Sequence, residues 1–72
     1  MAELSHKDYD ALEGAIIHGR RLAITRRGTE YVVVPLRLRI EGGREALDTR
    51  HPTTGERMTL YVDEMDAVEV VR

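Results

Sequence analysis

The apolar positions near the start of the chain follow a helical spacing. Apolar side chains recur there three or four residues apart, which is the pattern of one face of an α-helix. The residues on this face are Tyr9, Leu12, Ala15 and Ile16. Gly19 suits the left-handed position at which helices end. We therefore predict a helix that ends at Gly19, with Asp10 and Glu13 turned away from the apolar face.

The start of this helix has two candidates. Ser5 and Asp8 have the spacing of a capping box, and so do Asp10 and Glu13. Acidic residues in the first turn also interact favourably with the helix dipole. Capping alone is therefore one explanation of the carboxylates in the stretch DYDALEGA, and the sequence leaves both starts open.

Beyond Gly19 the apolar residues alternate with polar ones, as in strands with one buried face. The predicted strands are RRLAITRR, EYVVVPLRLRI, EALDT, RMTLYV and AVEVV, and DEMD is a tight turn with one turn of 3-10 helix. The side chains predicted to face the core are Leu22, Ile24, Val32, Val34, Leu36, Leu38, Ile40, Met58, Leu60, Val62, Val68 and Val70. The other face of the longest strand carries Tyr31, Val33, Arg37 and Arg39. Pro35 lies within that strand and predicts a bulge, a bend or a sheet edge there, because proline cannot donate to a ladder.

This order of elements predicts the fold class. A helix followed by short strands indicates a mainly β fold with one N-terminal α-helix and a five-stranded SH3-like or Sm-like small barrel, which limits exposed strand edges. The barrel is expected to span residues 1–72 as a single domain, with the helix over one open end. A flat sheet under the helix is the alternative.

Length and composition narrow the class of protein. The chain has 72 residues and no cysteine, so it has room for one modest core without disulfides. Its apolar runs are far shorter than the ~20 residues that span a membrane, and the polar start MAELSHKD does not resemble a signal peptide. We therefore expect a cytoplasmic protein with no membrane association.

Charge is distributed unevenly along the chain. The formal net charge is −2, but residues 1–19 and 58–72 are acidic and residues 20–57 contain most of the arginines. Two kinds of surface are therefore expected, an acidic one on the helix and a basic one on the strands. The three histidines, His6, His18 and His51, are dispersed and lack metal-ligand spacing. We expect no enzymatic activity, no cofactor and no metal site.

Several motifs resemble the Rof family, whose members are small inhibitors of the transcription terminator Rho. DYDALEGA matches the opening motif of that family through Tyr9, Asp10, Leu12, Glu13 and Ala15. A closing motif is met in GERMTLYVDEM by Gly55, Glu56, Leu60, Val62, Asp63 and Met65, and a middle motif is met partly by Glu45 and Leu47. The resemblance implies an Sm-like barrel that binds the basic, RNA-binding face of Rho and so acts in bacterial antitermination. Under it, Asp10 and Glu13 contact the partner and Tyr9 orients the helix.

The middle of the chain resembles a second family, the WYL domains, which are also Sm-like barrels. The segments LEGAIIHGRRLAITRRG, YVVVPLRL and MTLYVDEMDAVEV carry this resemblance. It implies a nucleic-acid-binding barrel that holds RNA or single-stranded DNA through an arginine-rich strand face. The residues assigned to this alternative are Arg26, Arg37, Arg39, Tyr31 and Tyr61. An ordinary solvated sheet face is the competing explanation of the same arginines, and the oligomeric state stays open.

Overall fold

The fold consists of one helix and five strands, and the computed structural model describes residues 4–71 of the chain. Residues 1–3 and 72 of the predicted domain lie outside the described residues. The elements are α1 (His6–His18), β1 (Leu22–Arg26), β2 (Thr29–Glu41), β3 (Arg44–Arg50), β4 (Arg57–Tyr61), a 3-10 turn (Val62–Glu64) and β5 (Met65–Val70). The predicted fold class, mainly β with one N-terminal α-helix and a small five-stranded barrel, is confirmed.

All the strand pairs are antiparallel, and the strand order is β4-β3-β2-β1-β5. The hairpin between β1 and β2 closes through a two-residue turn at Arg27 and Gly28, whose φ angles are 51° and 78°. Positive φ at both central positions matches the right-handed twist of the flanking strands. The 3-10 turn connects β4 to β5, which are the two edges of the sheet, so the sheet wraps around the core.

The strand β2 bends at Pro35, as the sequence predicts. Its first half pairs with β1 and its second half pairs with β3. The register of the β2–β3 ladder shifts between Pro35 and Arg37. A bulge of this kind sharpens the local twist, which a small barrel needs where one strand serves two halves of the sheet.

This bend corrects the predicted inner face of β2. Val32 and Ile40 were expected in the core, but they are 40% and 67% exposed. Val33 was assigned to the outer face, and it is buried instead. Before the bend the odd-numbered residues face the core, and the bulge shifts the alternation so that Leu38 packs against the core further along. The prediction that one alternation continues through all thirteen residues of β2 was therefore wrong.

The core lies between α1 and the inner face of the sheet. Its buried members are Leu12, Ala15, Leu22, Ile24, Val33, Leu47, Leu60, Val62, Met65 and Val68. Tyr9, Ile16, Met58 and Val70 pack against this cluster from its margin. Leu36 was predicted to lie in the core, but it is only half-buried and stands outside the cluster. Val62 is buried as predicted, although it belongs to the 3-10 turn rather than to β4.

Candidate functional site

The N-terminal cap of α1 uses one of the carboxylates in DYDALEGA. The Ser5 hydroxyl accepts a hydrogen bond from the backbone N–H of Asp8 at 3.2 Å. The Asp8 carboxylate in turn accepts one from the backbone N–H of Ser5 at 2.9 Å. This reciprocal pair is a capping box. Ser5 is therefore the N-cap of the helix, and Asp10 and Glu13 are not needed to cap it.

Tyr9 anchors α1 to the sheet. Its hydroxyl donates a 2.7 Å hydrogen bond to Oε1 of Glu45, which lies on β3. Leu12 and Ala15, which are buried, hold the same side of the helix against the core. The rotation of α1 about its own axis is thus fixed by polar and apolar contacts together.

The opposite side of α1 presents Asp10 and Glu13 to solvent. Both side chains are exposed, and neither forms an ion pair within residues 4–71. We call these two residues the acidic helix face. A groove of about 270 Å³ runs beside Asp10 and is lined further by Ala11, Gly14, Ala15, His18, Arg20 and Val70.

The arginines of β2 lie on the outer face of the sheet, where Asp48 of β3 neutralises them. Nε of Arg37 and Nε of Arg39 each donate to Oδ2 of Asp48 at 2.9 Å. Thr59 of β4 donates to the other carboxylate oxygen at 3.2 Å, and Arg39 also pairs with Glu41. The hydrogen bond from Arg39, followed by that from Arg37, holds the pKa of the Asp48 carboxyl well below its usual range. The hydrogen bonds of Arg39 to Asp48 and then to Glu41 raise the pKa of Arg39 above its ordinary value.

A second group of ion pairs forms around the 3-10 turn. Arg44 binds Asp63 through two hydrogen bonds of 2.8 and 2.7 Å, and this pairing lowers the pKa of Asp63. Glu64 lies 3.8 Å from Arg26, 3.4 Å from Arg27 and 3.6 Å from Arg44. The Glu64 carboxylate therefore lies within ion-pair distance of three guanidinium groups.

The tyrosines assigned to nucleic-acid binding are each covered by an arginine. The guanidinium of Arg26 lies 5.0 Å from the ring centroid of Tyr31, and that of Arg44 lies 3.9 Å from the ring centroid of Tyr61. These are cation–π distances. A base that stacked on the covered face of either ring would have to displace the arginine.

The structure groups these candidate residues in two places. Arg39 of β2 and Tyr61 of β4 both pair with Ala46 of β3, one from each side. Arg37 pairs with Asp48, two residues further along β3. Arg26 and Tyr31 contact each other in the other half of the bent sheet. Asp63 was named from the sequence only as part of a closing motif, and Asp48, Asp63 and Glu64 were not predicted to pair with arginines. Their roles depend on strand register, which the sequence pattern does not reveal.

No group of three or more His, Asp or Glu side chains within residues 4–71 is arranged to hold a metal ion. In the same part of the chain, no helix has the length and apolar character needed to cross a bilayer.

Comparison with known proteins supports the fold. No protein-family model matches the chain, and no curated protein matches it. Among solved structures, the chain is similar to part of proteasome accessory factor B/C (PafBC) of Arthrobacter aurescens, with a TM-score of 0.76 and 19% sequence identity. The match covers 97% of this chain and 12% of that one. At this level of identity the likeness shows a shared fold.

Proposed function

We propose that this protein is a non-catalytic regulatory binding module that docks its acidic helix face onto a basic surface of a protein partner. One observation carries the proposal: Asp10 and Glu13 have no ion-pair partner within residues 4–71, whereas Asp48, Asp63 and Glu64 each pair with arginine. The acidic helix face thus keeps its charge available for a partner.

The position of these residues also favours docking. Asp10 and Glu13 are three residues apart, so they lie side by side on one face of α1. The capping box and the Tyr9–Glu45 hydrogen bond hold this face outward without using either carboxylate. Charges fixed in this way steer association with a surface of opposite sign.

The resemblance of DYDALEGA to the Rof motif leads us to propose the transcription terminator Rho as the partner. The RNA-binding face of such a protein is basic because it holds RNA. The acidic helix face would compete with RNA for that surface and so relieve termination. This proposal puts the protein in the bacterial cytoplasm.

The test measures binding to purified Rho and displacement of single-stranded RNA from it. Asp10→Arg combined with Glu13→Arg should weaken binding about 100-fold or more while the protein stays folded, because both contacts become repulsive. Glu30→Arg combined with Glu69→Arg is the matched control, since it makes the same charge change at exposed strand positions. Wild-type protein that neither binds Rho nor displaces RNA overturns the choice of partner. A charge-reversed helix that still binds normally overturns the choice of surface.

A second candidate function, RNA or single-stranded DNA binding by the outer sheet face, is favoured by a different observation. Arg50 and Arg57 are direct cross-strand neighbours, and neither has an ion pair within residues 4–71. Like charges in this position oppose strand pairing. A bound phosphate backbone would relieve that repulsion, and Arg37, which is 72% exposed, lies on the same face.

A further inference from the structure

One edge of β2 is left uncovered in its first half. Thr29 through Val33 pair with β1 on one side, whereas the pairing of β2 with β3 on the other side starts only at Val34. Among residues 4–71, no strand therefore pairs with the edge opposite β1 from Thr29 to Val33. An open strand edge offers unpaired backbone groups that another chain can use.

The strand β3 fails to cover this edge because it ends at Arg50. The chain turns away through Pro52, which has no N–H to continue a ladder. His51 stabilises that turn, since its Nδ1 accepts hydrogen bonds from the backbone N–H groups of Thr53 and Thr54 at 3.1 and 3.2 Å. The gap in the sheet therefore results from the way the β3–β4 connection turns away from β2.

Backbone alternation identifies the groups at the gap. In a two-residue hairpin the residues that flank the turn, here Arg26 and Thr29, form a hydrogen-bonded pair, and such pairs alternate along the ladder. The backbone N–H and C=O groups of Glu30 and Val32 therefore point away from β1, toward the open edge. Outside the ladders, the backbone hydrogen bonds of residues 4–71 do not involve either residue.

A groove of about 360 Å³ lies along this edge. Its lining residues are Glu30, Tyr31, Val32, Val33, His51, Glu56 and Met58. Its walls are largely apolar, and Val32 is left 40% exposed there. Glu30 and Glu56 are exposed and form no ion pair within the described part of the chain.

From these features we infer that the groove binds an extended peptide segment in which apolar residues alternate with lysine or arginine. The peptide adds a short strand to the open edge of β2 through the backbone groups of Glu30 and Val32. Its apolar side chains lie on the face of Tyr31, Val33 and Met58, and its basic side chains lie on the opposite face, which carries Glu30, while Glu56 adds negative charge to the groove. This inference uses a surface other than the acidic helix face and does not depend on it.

The probe is the peptide acetyl-Val-Lys-Val-Lys-Val-amide, titrated into the full chain and followed by NMR. We expect saturable shifts of the backbone amides of residues 30–33 and slower hydrogen exchange at Glu30 and Val32 in the complex. Slower exchange at those two amides reports strand addition, which attraction between charges alone would not produce. Shifts confined to other parts of the protein, or no response of residues 30–33 at millimolar peptide, would overturn the inference.

Modified peptides separate backbone pairing from charge. Two versions that are N-methylated at alternate amides each remove the donors from one edge of the peptide, and one of them should bind about tenfold more weakly or worse. A peptide with glutamate in place of lysine should not bind the wild-type protein, and it should bind once Glu30→Lys and Glu56→Lys are introduced. If both methylated peptides bind as tightly as the parent peptide, strand addition is wrong.

A proline substitution tests the edge from the side of the protein. Val32→Pro removes an N–H that points to the open edge and leaves the donors to β1 in place, a position where strands tolerate proline. It should reduce peptide binding about tenfold, whereas Val32→Thr, which keeps the N–H and the branched shape, should retain binding. If Val32→Pro unfolds the protein, the methylated peptides decide the question with the wild-type chain.

Discussion

The hydroxyl of Tyr9 donates a 2.7 Å hydrogen bond to Oε1 of Glu45, which joins the first helix directly to the third strand. Both residues are partly buried, so the bond is shielded from competing water. Buried Leu12 lies on the same side of the helix and packs into the core. Together these contacts determine which side of α1 faces solvent, and they leave that side to Asp10 and Glu13.

Removing the Tyr9 hydroxyl should therefore lower stability. We expect Tyr9→Phe to reduce the free energy of unfolding by about 0.5–1.5 kcal/mol, because it deletes a hydrogen bond and keeps the ring. Tyr61→Phe is the matched control, since its hydroxyl lies 3.4 Å from an exposed Glu41 carboxylate and should contribute little. Urea denaturation measures both, and a double-mutant cycle with Glu45→Ala, which removes the acceptor, isolates the pair. Equal losses for the two tyrosines would contradict the anchoring role.

Core packing makes a second prediction. Leu60 is fully buried, whereas Ile40, which the alternation also assigned to the core, is 67% exposed. Leu60→Ala should cost about 2–5 kcal/mol, because it deletes buried methyl groups and leaves a cavity. Ile40→Ala should change stability by only about 0.5 kcal/mol, since its side chain already contacts water. Chemical denaturation of both variants checks the assignment, and a large loss at Ile40 would contradict it.

The difference in burial between Leu60 and Ile40 shows which parts of the fold the sequence predicts and which it does not. In the short strands β1 and β5, one alternation assigned Leu22, Ile24 and Val68 to the core correctly. In β2 the apolar run from Val32 to Val34 fits either phase, and only the bulge beyond Pro35 decides which phase applies on each side. The sequence predicted that an irregularity would occur at Pro35, but not that the inner face would change there.

The candidate site was less accessible to sequence reasoning than the fold. The two capping boxes were equivalent by spacing, and only the observed Ser5–Asp8 bonds leave Asp10 free for another role. The alternation correctly predicted that Arg37 and Arg39 lie on the outer face of the sheet. Its neutralisation by Asp48 could not be predicted, because Asp48 meets Arg37 only through a cross-strand register that includes a bulge.

The pairing of Asp48 makes stability depend on pH in the acidic range. The pKa of Asp48 is lower in the folded protein than in the unfolded chain, where an aspartate titrates near ~3.9. Its contribution is therefore fully present above the unfolded value and is lost as the pH falls toward the folded value. Asp48→Asn should lower the melting temperature at pH 7 and flatten its decrease below about pH 4. Thermal melts between pH 2 and pH 7 measure this, and an acid limb as steep as that of the wild type would contradict it.

The same substitution discriminates between the two candidate functions. Asp48 accepts hydrogen bonds from Arg37 and Arg39 through one carboxylate oxygen, so Asp48→Asn removes the negative charge that the two guanidinium groups share. If the outer sheet face binds nucleic acid, the variant should bind a single-stranded RNA oligonucleotide more tightly than the wild type. Its affinity should also fall more steeply with salt, because the slope increases by about 0.7–0.9 for each additional phosphate contact.

Arg50→Ala combined with Arg57→Ala should lower both the affinity for RNA and its dependence on salt. Glu69→Gln, which makes the same change in net charge at an exposed position of β5, is the control. Fluorescence anisotropy at two salt concentrations measures all four proteins, and an affinity for Asp48→Asn no higher than that for Glu69→Gln would exclude this face as the RNA-binding surface.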